Sequence, residues 1–204
     1  MTAMTTPARG RPRSFDRDAA LDKALRLFWR QGYEPTSISD LTSELGIGAP
    51  SLYAAFGDKQ TLFTEAVGVY GERYGGFAAR ALIEEPTARA AAERTLREAA
   101  IEYTEPGRPN GCMVISAGLN TTNTDVAAGL ATKRESNVAG FEQRISADIA
   151  AGILPASTDA LALARFVGAV MQGMSQSSQD GATRDELVKV AELAMLAWPG
   201  PSAS

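Results

Sequence analysis

The sequence predicts an all-α protein, and three observations carry that prediction. Apolar residues recur at i, i+3, i+4 and i+7 along most of the chain, the spacing of a helix face turned to a core. Alanine is abundant, whereas β-branched runs alternating with period two are scarce. Capping residues, glycines and prolines interrupt the pattern at intervals that suit ordinary helices. The expected architecture is a three-helix head containing a helix-turn-helix, joined by a long fourth helix to a helical body, about nine helices in all.

Taken in order, residues 1–14 are small, polar and basic, a composition that predicts a disordered arm. Within it Arg9-Gly10-Arg11-Pro12-Arg13 looks like the core of an AT-hook, a thin extended motif whose guanidinium groups follow a narrow minor groove. The simpler reading is an arm that touches phosphates without choosing bases. Both stay open.

The first long helix is expected over 17–31, capped by Ser14 or Asp16, with Leu21, Ala24, Leu25 and Phe28 inward. Trp29 reads as a packing residue. Thr36 and Ser37 precede Ile38, Leu41 and Leu45 on one helical face, and Ser37 with Asp40 forms an acidic version of the capping box. Gly46 ends that helix, Ile47 is buried in the turn, and Pro50 opens a second helix whose Leu52 and Phe56 face the first. This is a helix-turn-helix, with its second helix shaped for the DNA major groove.

A fourth helix is expected from Asp58 through Tyr74 towards Leu82, carrying Gly68, Gly71, Gly75 and Gly76. Those glycines fit either close packing or a compliant connector. Further helices are expected over 87–103, from Met113, over 126–152, over 158–177 and over 183–197. The expected division is a basic arm at 1–14, a DNA-binding head at 15–63 and a body at 64–204.

Composition narrows the function. The chain has 45% hydrophobic and 22% charged residues, ordinary for a soluble globular protein. Its net charge of −4 argues against coating nucleic acid broadly, so any DNA contact is local, and the basic excess lies at the extreme N-terminus. A single cysteine rules out an intramolecular disulfide, and the absence of histidine removes the commonest metal ligand and general base. No catalytic constellation, metal site or cofactor motif is legible. With no signal peptide or apolar run long enough to span a membrane, the expected compartment is the cytoplasm.

The run Ala24-Leu25, Leu27-Phe28, Gly32-Tyr33, Thr36-Ser37-Ile38, Leu41, Leu45-Gly46-Ile47, Ser51-Leu52-Tyr53, Phe56, Lys59 and Leu62-Phe63 resembles the DNA-binding domain of the TetR family of bacterial transcriptional regulators. The resemblance covers residues 15–67, about a quarter of the chain. It implies that Thr36, Ser37, Tyr53 and Lys59 hold phosphates of a palindromic double-stranded operator. It also implies that Ala49, Pro50 and Ser51 meet the groove. Each has a plainer alternative, as a cap, a half-buried ring or a solvated charge. The exposed side of the recognition helix departs from the family, since Gly48, Ala49, Pro50, Ser51, Ala54 and Ala55 offer few groups to base edges.

The resemblance further implies a homodimer and a small-molecule cavity in the body. Tyr103, Cys112, Met113, Ser116, Phe141, Met171 and Met174 are the expected wall, suited to a hydrophobic or aromatic ligand. Leu163, Phe166, Val167, Val170, Leu187, Val190, Ala191, Ala194 and Trp198 are the expected dimer interface. The reading is therefore a dimeric repressor released by a ligand. The alternatives are control by a protein partner or by oxidation of Cys112, and, less well supported, a small helical enzyme.

Overall fold

The computed structural model describes residues 16–200, and among them ten helices and no strands. The arm with Arg9, Arg11 and Arg13 lies outside the described residues. α1 (Arg17–Gln31) is capped by Asp16, whose carboxylate accepts the Ala19 N–H at 3.0 Å. α2 (Ile38–Leu45) starts from a complete capping box between Ser37 and Asp40. It ends at Gly46, whose φ of 70° is the left-handed conformation that reverses the chain into α3 (Ala49–Phe56). α4 (Lys59–Arg73) is capped by Asp58.

Leu25, Phe28, Leu41, Leu52 and Leu62 are buried where α1 to α4 meet. The Phe28 and Phe63 rings cross edge to face at 5.1 Å, an arrangement that adds to the apolar burial. This first core also takes in Met113, Ala117, Val126 and Leu130. The expected border at 63/64 therefore does not divide the hydrophobic interior. All of α4, the short α7 (Met113–Ser116) and the start of α8 (Thr124–Ala150) pack with the head.

The fourth helix is shorter than its expected reach towards Leu82. It stops at Arg73, and a separate α5 (Phe77–Glu84) follows, because the consecutive Gly75 and Gly76 lack the propensity to carry a helix through. A Cβ on Gly68 or Gly71 would meet nothing within 4 Å, so close packing does not account for those two positions.

The second core gathers α5, α6 (Ala88–Glu102), the rest of α8, α9 (Ala160–Gln179) and α10 (Arg184–Leu196) around Leu96, Tyr103, Phe141, Ile145 and Met174. The buried Asp148 carboxylate reaches from α8 to accept the Ala88 N–H at 2.7 Å, satisfying a donor at the start of α6. No described helix is long and apolar enough to cross a membrane.

Candidate nucleic-acid interface and ligand cavity

The recognition helix α3 leaves Pro50, Ser51, Tyr53 and Ala54 exposed, with Ala49 partly so, while Leu52 and Phe56 hold it to the head. Tyr53 is 49% exposed, so its hydroxyl is free to leave the protein surface. Ser37 is exposed but already engaged, its hydroxyl donating to Asp40 at 2.6 Å.

Thr36 requires a correction. It is wholly buried, and its hydroxyl donates to the Gly32 carbonyl at 2.6 Å. A hydroxyl spent inside the fold cannot grip a phosphate, so Thr36 positions the start of α2 instead.

Lys59 lies across the Tyr33 ring, with Nζ 4.3 Å from the centroid and 3.4 Å from the Glu34 carbonyl oxygen it donates to. Burial draws its pKa below the ordinary lysine value, and Glu34 and Asp40 draw it part of the way back. The Glu34 carboxylate is itself held by the body. It accepts from the Thr121 hydroxyl at 2.8 Å and the Thr122 hydroxyl at 2.9 Å, contacts that keep it ionised below the usual carboxylate range. Asn123 caps α8 and also donates to Gln60 at 2.9 Å. The head is thus wired to the start of α8 beside its own expected phosphate contact.

A cavity of about 250 Å³, open to solvent beside the exposed α8 residues Lys133, Ser136 and Asn137, lies between α4, α5, the end of α6, α7, α8 and α9. Of the expected wall, Tyr103, Cys112, Phe141 and Met171 line it. Three expectations are corrected. Met113 is buried in the head core and Met174 in the body core. Ser116 faces a separate cleft near Trp29, and its hydroxyl bonds back to the Cys112 carbonyl at 3.0 Å.

Sequence reasoning missed Tyr70, Gly71, Gly75, Phe77, Arg134 and Gln172, all of which line the cavity. Gly71, near the end of α4, was the available signal, since a Cβ there would meet nothing within 4 Å, whereas the space beside Gly75 is taken by the Tyr70 ring. Arg134 had none, because nothing local distinguishes it from other charges on α8.

Cys112 packs against both cores. Its N–H donates to the Ser175 hydroxyl at 2.8 Å, and burial pushes its thiol pKa up. The Tyr103 hydroxyl is buried beside that thiol, which is its polar neighbour, and it makes no well-formed hydrogen bond to any other group among the described residues. An unmet buried hydroxyl costs about 1–3 kcal/mol, which a ligand acceptor would recover.

The expected dimer face is also revised. Val167, Leu187, Ala191 and Trp198 are buried in the chain's own core, and Leu163, Val170 and Ala194 pack partly against it. Phe166 is partly exposed and Val190 is exposed. Leu161, Leu193 and Leu196 join them as exposed apolar groups on α9 and α10, with Leu196 81% accessible. Among the described residues no group of His, Cys, Asp or Glu could hold a metal ion.

A helix-turn-helix head mounted on a helical body that holds a cavity is the architecture of a one-component DNA-binding regulator. The comparisons place it further. Residues 20–66 match the family described as bacterial regulatory proteins, tetR family. The chain is 35% identical to the HTH-type transcriptional repressor ComR of Escherichia coli (strain K12), covering 97% of this chain and 96% of that protein. It is 30% identical to the HTH-type transcriptional repressor BdcR of the same organism, over 91% and 90% of the two chains. A solved structure of a cysteine variant of the TetR family transcriptional regulator CifR, complexed with 26-base-pair operator DNA, superposes with a TM-score of 0.86. The two are 40% identical over 93% of this chain and all of that one. The chain belongs to the TetR family. It is a sequence-specific DNA-binding transcriptional regulator rather than an enzyme.

Proposed function

We propose that this chain is a homodimeric repressor, acting in the cytoplasm, that grips a palindromic operator with two heads and lets go when a small hydrophobic molecule fills the body cavity. The observation that carries this reading is the cavity's position. One wall is Tyr70 and Gly71 of the head's own α4, and another is Cys112, Val114 and Ile115 at α7, which packs with the head core. Filling that space displaces elements that hold the heads. The repressor role of ComR and BdcR and the operator complex of CifR support the same direction of control.

Operator contact is assigned to Ala49, Pro50, Ser51, Tyr53 and Lys59, and to Arg9, Arg11 and Arg13, which lie outside the described residues, whereas Ser37, with its hydroxyl and N–H both donating to Asp40, is assigned to capping α2. The exposed apolar stripe of Leu161, Phe166, Val190, Leu193 and Leu196 is assigned to the partner copy, since two-fold operators call for two-fold proteins. A second reading, control by oxidation of Cys112, has less support, because burial keeps the thiol protonated and the thiolate is the reactive form.

A mobility shift on DNA upstream of the chain's own coding region tests the reading. The expected result is a shifted band that is lost on adding a cavity ligand. No shift at moderate salt would overturn the assignment of this DNA as operator, and a shift that a cavity-binding ligand leaves intact would overturn release.

A further inference from the structure

The chemistry of the cavity wall narrows the ligand class beyond "hydrophobic", and this inference rests on the cavity being the effector site. The interior is apolar and aromatic, with Phe77, Phe141 and Met171 in the wall. Yet Arg134, and at the open mouth the exposed Lys133, also line it, and no carboxylate does among the described lining residues, in a chain whose net charge is −4. The neighbouring Glu135 feels the charge of Arg134 but is paired with Arg165 and does not line the cavity, so the charge that faces the cavity itself is positive.

Arg134 is held rather than loose. Its Nη1 donates to the Val114 carbonyl at 2.8 Å, so one arm of the guanidinium is anchored to α7 at the cavity wall. Arg134 and Cys112 line the same cavity, and the Cys112 sulfur is the polar neighbour of the buried Tyr103 hydroxyl, which makes no well-formed hydrogen bond to any other described group. Tyr103 at the end of α6, Cys112 just before α7 and Arg134 on α8 therefore line one cavity, whose remaining polar side chains, Ser136, Asn137 and Gln172, are uncharged apart from Lys133. A ligand that suits it needs an acceptor for the tyrosine hydroxyl, a negative charge for Arg134 and Lys133, and an apolar remainder.

We infer that the effector is a small monocarboxylate: its anionic end at Tyr103, Lys133 and Arg134, its aromatic or branched apolar body against Phe77, Phe141 and Met171. A phosphate ester fits poorly, because a strongly hydrated dianion needs more donors than Tyr103, Lys133 and Arg134 supply. The volume of about 250 Å³ lies below that of drug-sized sites, which restricts the ligand to roughly a dozen non-hydrogen atoms. The anchor also gives the carboxylate a consequence. Drawing the Arg134 guanidinium towards the ligand pulls on the Val114 carbonyl, and with it on the short helix that packs against the head.

The test uses the full chain with benzoate, phenylacetate, 3-phenylpropanoate and 4-methylpentanoate, each beside its neutral primary amide. Calorimetry and thermal melting report binding, and mobility shift reports operator release. At least one acid is expected to raise the melting temperature by about 3 °C at ~1 mM and weaken operator binding about tenfold, with its amide doing neither. Arg134→Gln and Lys133→Gln are each expected to weaken that acid's binding about tenfold. Amides that bind as well as the acids would overturn the inference, as would no binding by any acid, or variants that bind the acid like the parent. Operator binding without added acid is measured in parallel. Its absence tells against the repressor reading, whereas intact operator binding with no acid response tells against the carboxylate alone.

Discussion

The indole Nε1–H of Trp29 in α1 donates to the carbonyl of Gly111 at 3.1 Å, and the N–H of the same glycine donates to the Tyr103 carbonyl at 3.0 Å. One residue thus joins the head to a wall residue of the body cavity. The neighbouring Cys112 and Asn110 tie the segment to α9 through Ser175 and the Ser178 carbonyl. The angle between head and body is set at this knot as well as along α4.

Trp29→Phe keeps a ring against Tyr70 and Tyr74 but removes the N–H. The lost hydrogen bond is expected to cost about 1 kcal/mol and lower the melting temperature by about 2–4 °C. Freed from that restraint, the two heads hold their spacing less well. Operator affinity should fall several-fold while binding to random DNA stays level, measured by fluorescence anisotropy on both. Equal loss on the two DNAs would limit Trp29 to packing.

Gly111→Ala should be worse than an ordinary glycine substitution. The residue sits at φ 77°, and an added Cβ would lie 2.9 Å from both the carbonyl oxygen and the hydroxyl of Ser175. Strain and backbone crowding act together, and the expected destabilisation is about 2 kcal/mol or more in urea unfolding. An unchanged midpoint would mean that α9 yields easily.

Lys59→Gln should weaken operator and random DNA alike and reduce the salt dependence of binding by about one counterion per head. The arm should behave differently. Arg11→Ala with Arg13→Ala is expected to weaken the operator more than random DNA if the arm reads the minor groove, and both equally if it only meets phosphates. Titrations at several salt concentrations separate the two cases.

Leu193→Glu places a charge on the exposed stripe of α10, where Leu193 is 66% accessible in a single chain. Sedimentation should show a shift from dimer to monomer, with a loss of operator affinity of about 100-fold as the heads bind independently. A variant that stays dimeric would move the interface elsewhere.

The Cys112 thiol should alkylate slowly at neutral pH. Burial raises its pKa, so at any given pH the thiolate fraction is smaller than for free cysteine, and the rate climbs only as pH rises further. Iodoacetamide labelling followed by mass spectrometry across a pH series checks this. Labelling at pH 7 as fast as free cysteine would show an accessible, activated sulfur and revive redox control.

Much of the head was legible in the residues because its signals are local. The Ser37–Asp40 capping box spans four residues, Gly46 takes the left-handed conformation within its own turn, and the stripe Leu21, Ala24, Leu25 and Phe28 repeats with the helix period. The body's dimer face was less legible. α9 carries apolar groups on more than one side, and periodicity alone does not say which side meets α8 and which meets a partner. That is why Val167 and Leu187 were expected outside and lie within.

By itself, then, the sequence determined the helices, their caps and the helix-turn-helix, since these follow from propensities and hydrogen bonds acting within a turn or two of the chain. Only the tertiary structure decided that the Thr36 hydroxyl turns inward, that α7 packs with the head, and that Tyr103, Cys112 and Arg134 meet in one cavity. Those outcomes depend on which faces of distant helices come together to exclude water, and that choice is made by side-chain packing across the whole chain rather than by any short stretch of it.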